Sequence, residues 1–142
     1  MKIIPDTSMA MAWLVERLNR QEAELAQNAL WAVRQDGGIV PGHWFAELTN
    51  TLLIAERKRV ADSGRVTAFL QDLAMLPIEQ DAMQPQSIQL STLALSRLFI
   101  LNGYHAACLE LAMRTGHPLA TFDRHLAEAV RKAGGNIFGD HG

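Results

Sequence analysis

Short apolar runs alternate with longer segments of helical period along this chain. Ile3-Ile4-Pro5 reads as a first short strand that runs straight into Asp6, and Thr7-Ser8 then open a helical pattern from Met9 to Leu18. From Gln21 to Gln35, Ala23, Leu25, Ala26, Ala29, Leu30 and Val33 recur at helical spacing, and Gly37-Gly38 stop the pattern. Ile39-Val40-Pro41 is a minimal strand, followed by a helix from about His43 to Arg59. Asp62 or Ser63 caps a further helix to about Met75, and Leu76-Pro77-Ile78-Glu79 gives a third strand. From about Pro85 to Leu101 the pattern is apolar almost all round, which suits an internal helix or one buried against another subunit; Asn102-Gly103 end it. A helix from Tyr104 to Thr115 stops at Gly116, and Pro118-Leu119-Ala120-Thr121 forms a strand that delivers Asp123. Arg124 to Ala133 is helical, Gly134-Gly135 close it, and Asn136-Ile137-Phe138 is a candidate edge strand. Strands alternating with helices in this way predict an α/β fold: a three-layer α/β/α domain with a mostly parallel sheet of four to five short strands.

At 142 residues, 49% apolar and 20% charged, the chain is long enough for one sizeable core and is read as a single domain, residues 1–142. Cys108 has no second cysteine to pair with and reads as a small buried apolar side chain. Lys2 and a few apolar residues are interrupted by Asp6 before a signal-peptide core forms, so the expected location is cytoplasmic. Leu90 to Leu101 falls well short of the roughly 20 apolar residues that span a bilayer, and no membrane role is expected. Lys and Arg number 13 against 15 Asp and Glu, a net charge of −2, so any nucleic-acid contact must be local. Arg57-Lys58-Arg59, Arg65, Arg114, Arg124 and Arg131-Lys132 are the candidates, and each falls near a predicted helix end, where a cation also complements the helix dipole. Trp13, Trp31 and Trp44 lie at helical core positions, while His43, His117, His125 and His141 show no ligand spacing.

Asp6 and Asp123 both stand where a strand gives way to a helix. In a parallel sheet such strand ends point the same way, into the crevice where α/β proteins bind ligands, so two distant carboxylates meet there. At about 4 Å and an effective dielectric near 20, two like charges repel by roughly 4 kcal/mol, and a divalent cation is the natural relief. Each acid, taken alone, is also a good helix cap, and the two roles are compatible. On the helix after the second strand, Glu47 and Asn50 are three apart and share a face beside Trp44 and Leu48, so Glu47 is expected to be partly buried or partnered.

Asp6-Thr7-Ser8 after the opening strand and Trp44-Phe45-Ala46-Glu47 with Asn50 nearby are followed by two further stretches. These are Tyr104-His105-Ala106-Ala107 leading into Leu109-Glu110-Leu111-Ala112, and Leu119-Ala120-Thr121-Phe122-Asp123. In order and in context the four resemble the successive motifs of PIN-domain nucleases, most of all the single-domain toxins of VapC-type toxin–antitoxin pairs. The resemblance implies a metal-dependent endoribonuclease, the toxin of such a pair, in which Asp6, Glu47 and Asp123 gather Mg²⁺ or Mn²⁺. Hard oxygen ligands suit both ions. On this reading Asp6 and Asp123 ligate directly or through water, and Glu47 ligates a second ion or orients the attacking water. Thr7, Ser8, Asn50 and Thr121 supply supporting hydrogen bonds, and Arg57, Lys58 and Arg124 are weak candidates for holding the RNA. A homodimer and a cognate antitoxin come with the same resemblance.

One position departs from the pattern. Where the family carries a further aspartate, this chain has His105, an imidazole that can ligate but brings no negative charge and suits Mn²⁺ or Zn²⁺ better than Mg²⁺. Glu110 does not replace it, being turned about 140° away around a helix of 3.6 residues per turn. His105 therefore sets up a second reading, a catalytically impaired PIN-like module that binds RNA or a protein partner. A haloacid-dehalogenase-type phosphatase also begins with an aspartate after a strand, but it needs a second acid two residues on, where Ser8 stands.

Overall fold

The computed structural model describes residues 1–140; His141, named above, lies outside the described residues. In chain order the elements are β1 (Ile4–Pro5), α1 (Thr7–Leu14), α2 (Arg20–Asp36), β2 (Gly38–Val40), α3 (Trp44–Arg57) and α4 (Ser63–Ala74). There follow β3 (Ile78–Gln80), α5 (Pro85–Phe99), α6 (Gly103–Thr115), β4 (Leu119–Ala120) and α7 (Arg124–Lys132). The fold is mixed α/β, as the alternation predicts. β1 pairs in parallel with β4, Ile4 opposite Leu119 and Pro5 opposite Ala120, and β2 pairs in parallel with β3. A single parallel bridge from Ile3 to Gly38 joins the two ladders, so the order across them is β3-β2-β1-β4. Asn136-Ile137-Phe138 contributes only the bridge from Leu119 to Ile137, with the Leu119 amide on the Asn136 carbonyl at 2.9 Å.

Successive strand residues face opposite ways, and each side meets its own helices. Ile4 and Leu119 are buried with Leu109, Leu111, Leu126 and Val130 of α6 and α7. Ile3 and Ala120 are buried with Met9, Ala26, Ala29 and Val33 of α1 and α2. Val40 packs with Trp44, Leu48 and Leu52 of α3 and with Val66 and Leu73 of α4. The helices start where the sequence offers an acceptor for their free amides: Asp62 receives the Arg65 amide at 2.8 Å and Asn102 the His105 amide at 2.8 Å. Gly116, at φ 77°, ends α6.

Four expectations are corrected. α1 stops at Leu14 rather than Leu18, because Val15 turns extended and Asn19 takes the Glu22 amide to start α2. α5 is not an internal helix: none of its residues is buried within the chain, and Leu90 and Leu98 are among its open positions. It ends at Ile100, which adopts φ 55° while the Leu101 amide reaches back to Ser96, and Asn102 belongs to the next helix as its cap. Trp31 is 62% exposed. It stands two positions from both Ala29 and Val33, about 200° round the helix from the buried stripe.

Leu109→Ala, in the middle of the packed side, is expected to cost about 2–5 kcal/mol in urea unfolding, against about 0.5 kcal/mol or less for Leu90→Ser on the open face of α5. Equal costs would contradict the burial described here.

Candidate active site

Asp6 is the buried acid of this molecule's sheet, only 4% exposed at the carboxyl end of β1. Its amide donates to the Ala120 carbonyl at 3.0 Å, which continues the β1–β4 ladder and fixes its height beside Thr121. Its carboxylate is also the cap of α1, receiving the Met9 amide at 2.9 Å. The Ser8 hydroxyl donates to Oδ1 at 2.6 Å and the Thr121 hydroxyl donates to Oδ2. Burial pushes the carboxyl above its ordinary value, while the donors from Ser8, Thr121 and Met9 and the nearby charge of His105 pull it down. Burial wins. An ionised Asp6 is thus well hydrogen-bonded but short of positive charge.

The two hydroxyls that serve Asp6 also order the loop carrying Asp123. Ser8 Oγ accepts the Phe122 amide and Thr121 Oγ1 accepts the Asp123 amide, both at 2.9 Å. One threonine therefore bonds to the Asp6 carboxylate and to the Asp123 backbone at once. Asp123 caps α7 through Oδ1, on the Leu126 amide at 2.8 Å, so cap and candidate ligand coincide here as they do at Asp6.

Glu47 reaches the same place from α3. The indole N–H of Trp44 donates to the Pro5 carbonyl at 2.7 Å, tethering the first turn of α3 to the residue before Asp6. From that turn Glu47 accepts the Thr7 hydroxyl through Oε1, and its Oε2 stands 3.5 Å from His43 Nε2. The His43 ring in turn packs on Tyr104, centroids 4.9 Å apart and planes tilted by 35°. Burial lowers the His43 pKa against the pull of Glu47, and its ring is accordingly neutral at pH 7. His105 follows Tyr104 at the start of α6, close enough for its charge to act on both Asp6 and His43. Asp6, Asp123, Glu47 and His105 are thus brought to one region by β1, β4, α3 and α6.

Other candidates are not gathered there. Asn50 is exposed and makes no hydrogen bond to Glu47 among the described residues. Arg57 and Lys58 sit at the far end of α3, about 15 Å along the axis from Glu47 at 1.5 Å per residue. Arg124 does lie beside Asp123, lining with it, Thr121 and Arg131 a polar cavity of about 580 Å³. Glu110 is buried, but it faces Arg114, whose guanidinium also holds Asp81. Cys108 is buried as expected, and burial with the charges of Asp6 and Glu47 pushes its thiol well up, so it offers no nucleophile.

The carboxylate oxygens suit a hard divalent ion. Among the described residues, no three His, Cys, Asp or Glu side chains stand close enough to cage one. An ion held by one or two carboxylates and completed by water is compatible with this arrangement, and that is how Mg²⁺ is usually bound. Two members of the region went unnoticed in the sequence as partners: His43, although it stands four residues before Glu47, and Tyr104 beside it. The i, i+4 spacing was the available signal.

The fold is similar to that in the crystal structure of PAE2754 from Pyrobaculum aerophilum, with a TM-score of 0.68 at 19% identity, over 96% of this chain and 83% of that one. At that identity the likeness is one of fold alone. No family model matches the sequence, and no curated protein matches it.

The raised Asp6 carboxyl means that the folded state holds this proton more tightly than the unfolded chain does. Its stability cost is absent below the ordinary value of 3.8 and grows as pH rises through the folded value. Asp6→Asn is therefore expected to melt above wild type at pH 7.5 without divalent metal, with a smaller gain at pH 5. A lower melting temperature at pH 7.5 would mean that the three donors outweigh burial.

Proposed function

We propose that this protein is a metal-dependent endoribonuclease with the three-layer α/β/α architecture of a PIN domain, acting as the toxin of a toxin–antitoxin pair in the cytoplasm. The observation that carries the reading is the Thr121 bridge: a buried carboxylate with no ion-pair partner among the described residues, Asp6, shares one hydroxyl with the backbone of a second acid, Asp123. A pair of acids arranged at strand ends for packing alone would not need the first to be buried. Asp6 and Asp123 would hold Mg²⁺ or Mn²⁺ through hard oxygens, with water completing the shell, and Glu47 on α3 would orient a water. Such an ion, when bound, lowers the pKa of a water and offsets charge on the leaving oxygen of a phosphodiester.

The chain's own groups have separate tasks. Ser8 and Thr121 keep Asp6 oriented and ready to ionise by donating to both of its oxygens. Thr7 donates to one oxygen of Glu47 and His43 stands 3.5 Å from the other, which sets the direction of that carboxylate toward a ligand or a water. Arg124, in the polar cavity beside Asp123, supplies a local cation for the RNA backbone that the net charge of −2 does not provide. The homodimer belongs to this proposal, with the open apolar face of α5 as its surface, and so does a cognate antitoxin.

A second reading rests on His105, which stands next to Asp6 in place of an acid: a module that binds RNA or a protein without cutting. Incubation of the pure protein with structured RNA separates the two. The expected result is cutting that needs Mg²⁺ or Mn²⁺, stops with a chelator, and falls about 100-fold or more in Asp6→Asn, beyond the usual loss from a supporting residue. His105→Asp is expected to lower the Mg²⁺ concentration required. An inert wild type that gains cutting through His105→Asp would establish the non-catalytic module instead.

A further inference from the structure

Beside His43, the neighbour of Glu47 in space, lies a second cavity of about 580 Å³. Its walls come from the β2–α3 turn, the segment after β3, one side of α5 and the start of α6. They are mainly apolar, with Met83, Ile88 and Leu93 prominent, and a few side chains, among them Gln80, Gln89 and Thr92, bring amides and a hydroxyl to the edge. That volume falls within the roughly 300–1,000 Å³ of small-ligand sites, and so does the mixture of apolar wall and sparse polar groups. His43 belongs to this wall and also stands 3.5 Å from the Glu47 carboxylate, so the cavity and Glu47 are one side chain apart.

The electrical character of the cavity narrows its occupant. Among the described residues no Lys or Arg lines it, and the one acid that does, Asp81, is held by the Arg114 guanidinium. A phosphate would find no cation and a metal ion no free carboxylate. A flat neutral group with hydrogen-bonding edges fits: the base of an unpaired nucleotide. Single-stranded RNA is read in this way, by bases turned out of the stack and laid against aromatic or apolar side chains, with amides meeting their edges. The His43 ring, backed by Tyr104, provides the aromatic part of that wall.

We propose that this cavity is the subsite for an unpaired nucleobase next to the scissile phosphate, with His43 as the wall shared between base and acids. The inference rests on the nuclease reading and adds to it a place in the fold, the cavity beside His43, for the base that flanks the cut.

The test fills the cavity without touching the acids. Gln89 is exposed on α5 and the Thr92 hydroxyl bonds only to the Ile88 carbonyl of its own helix, so Gln89→Trp and Thr92→Phe both narrow the space at little structural risk. On a short single-stranded RNA each is expected to raise KM roughly 5- to 150-fold, the range one stacked base contributes, with kcat little changed. On the same RNA with an abasic residue at the nucleotide beside the cut, wild type is expected to show that rise already and the variants no more. Equal effects of the variants on normal and abasic RNA, or none on either, would overturn the subsite while leaving metal-dependent cutting intact. If wild type cuts nothing, the nuclease reading falls separately. The subsite is then judged by binding alone: quenching of 2-aminopurine in a single-stranded oligonucleotide, lost in Gln89→Trp, supports it, and no quenching in wild type overturns it. Indifference of both cutting and binding to the filled cavity would point instead to an apolar segment of a partner protein.

Discussion

Everything at the candidate site depends on one unfavourable act of burial. Asp6 carries a carboxylate to the end of a central strand, where the chain on every side is packed, and the fold meets the cost with three donors and no cation. Those donors are the Met9 amide and two hydroxyls, and each hydroxyl is turned by the need to satisfy a backbone amide in the β4–α7 loop. The acid and its partner loop are consequently ordered together. A carboxylate that is oriented but not neutralised is a poor structural element and a good ligand for a cation.

The same economy of contacts recurs on the α3 side. Trp44 is buried in the core through its ring, yet its N–H reaches the carbonyl of Pro5, so the helix bearing Glu47 is registered directly on the strand bearing Asp6. Removal of that bond would leave a buried carbonyl without its partner and free the first turn of α3 to shift. Thr7, the neighbour of Asp6, then bonds to one oxygen of Glu47, and His43 stands near the other. The three acids arrive from different parts of the chain, and Thr7 and Thr121 are the hydroxyls that tie Asp6 to the other two.

α5 has a different character. It packs on α6 and lends one side to an apolar cavity while leaving Leu90, Leu98 and, just beyond its end, Ile100 open. The contrast with α6, where a run from Cys108 to Ala112 is buried, is one of position: α6 lies against Ile4 and Leu119 of the sheet, and α5 lies outside it. Its apolar composition is therefore available to ligands and to other chains.

The sequence alone determined the element order, because apolar period, caps and glycines are local signals: Asp62, Gly116 and Asp123 act where the pattern says they should, while Asn102, read as the end of α5, caps α6 instead. It also marked Asp6, Glu47 and Asp123, since an acid at a strand end or on an otherwise apolar helix face is conspicuous without coordinates. The tertiary structure decided what no local pattern encodes. It set which of two equally apolar helices was covered, left Trp31 facing solvent, kept Arg57 and Lys58 a helix length from the acids, and joined His43 and Tyr104 to Glu47. These outcomes depend on which surfaces the sheet order brings into contact, and contacts between residues forty or a hundred positions apart leave no periodic trace in the chain.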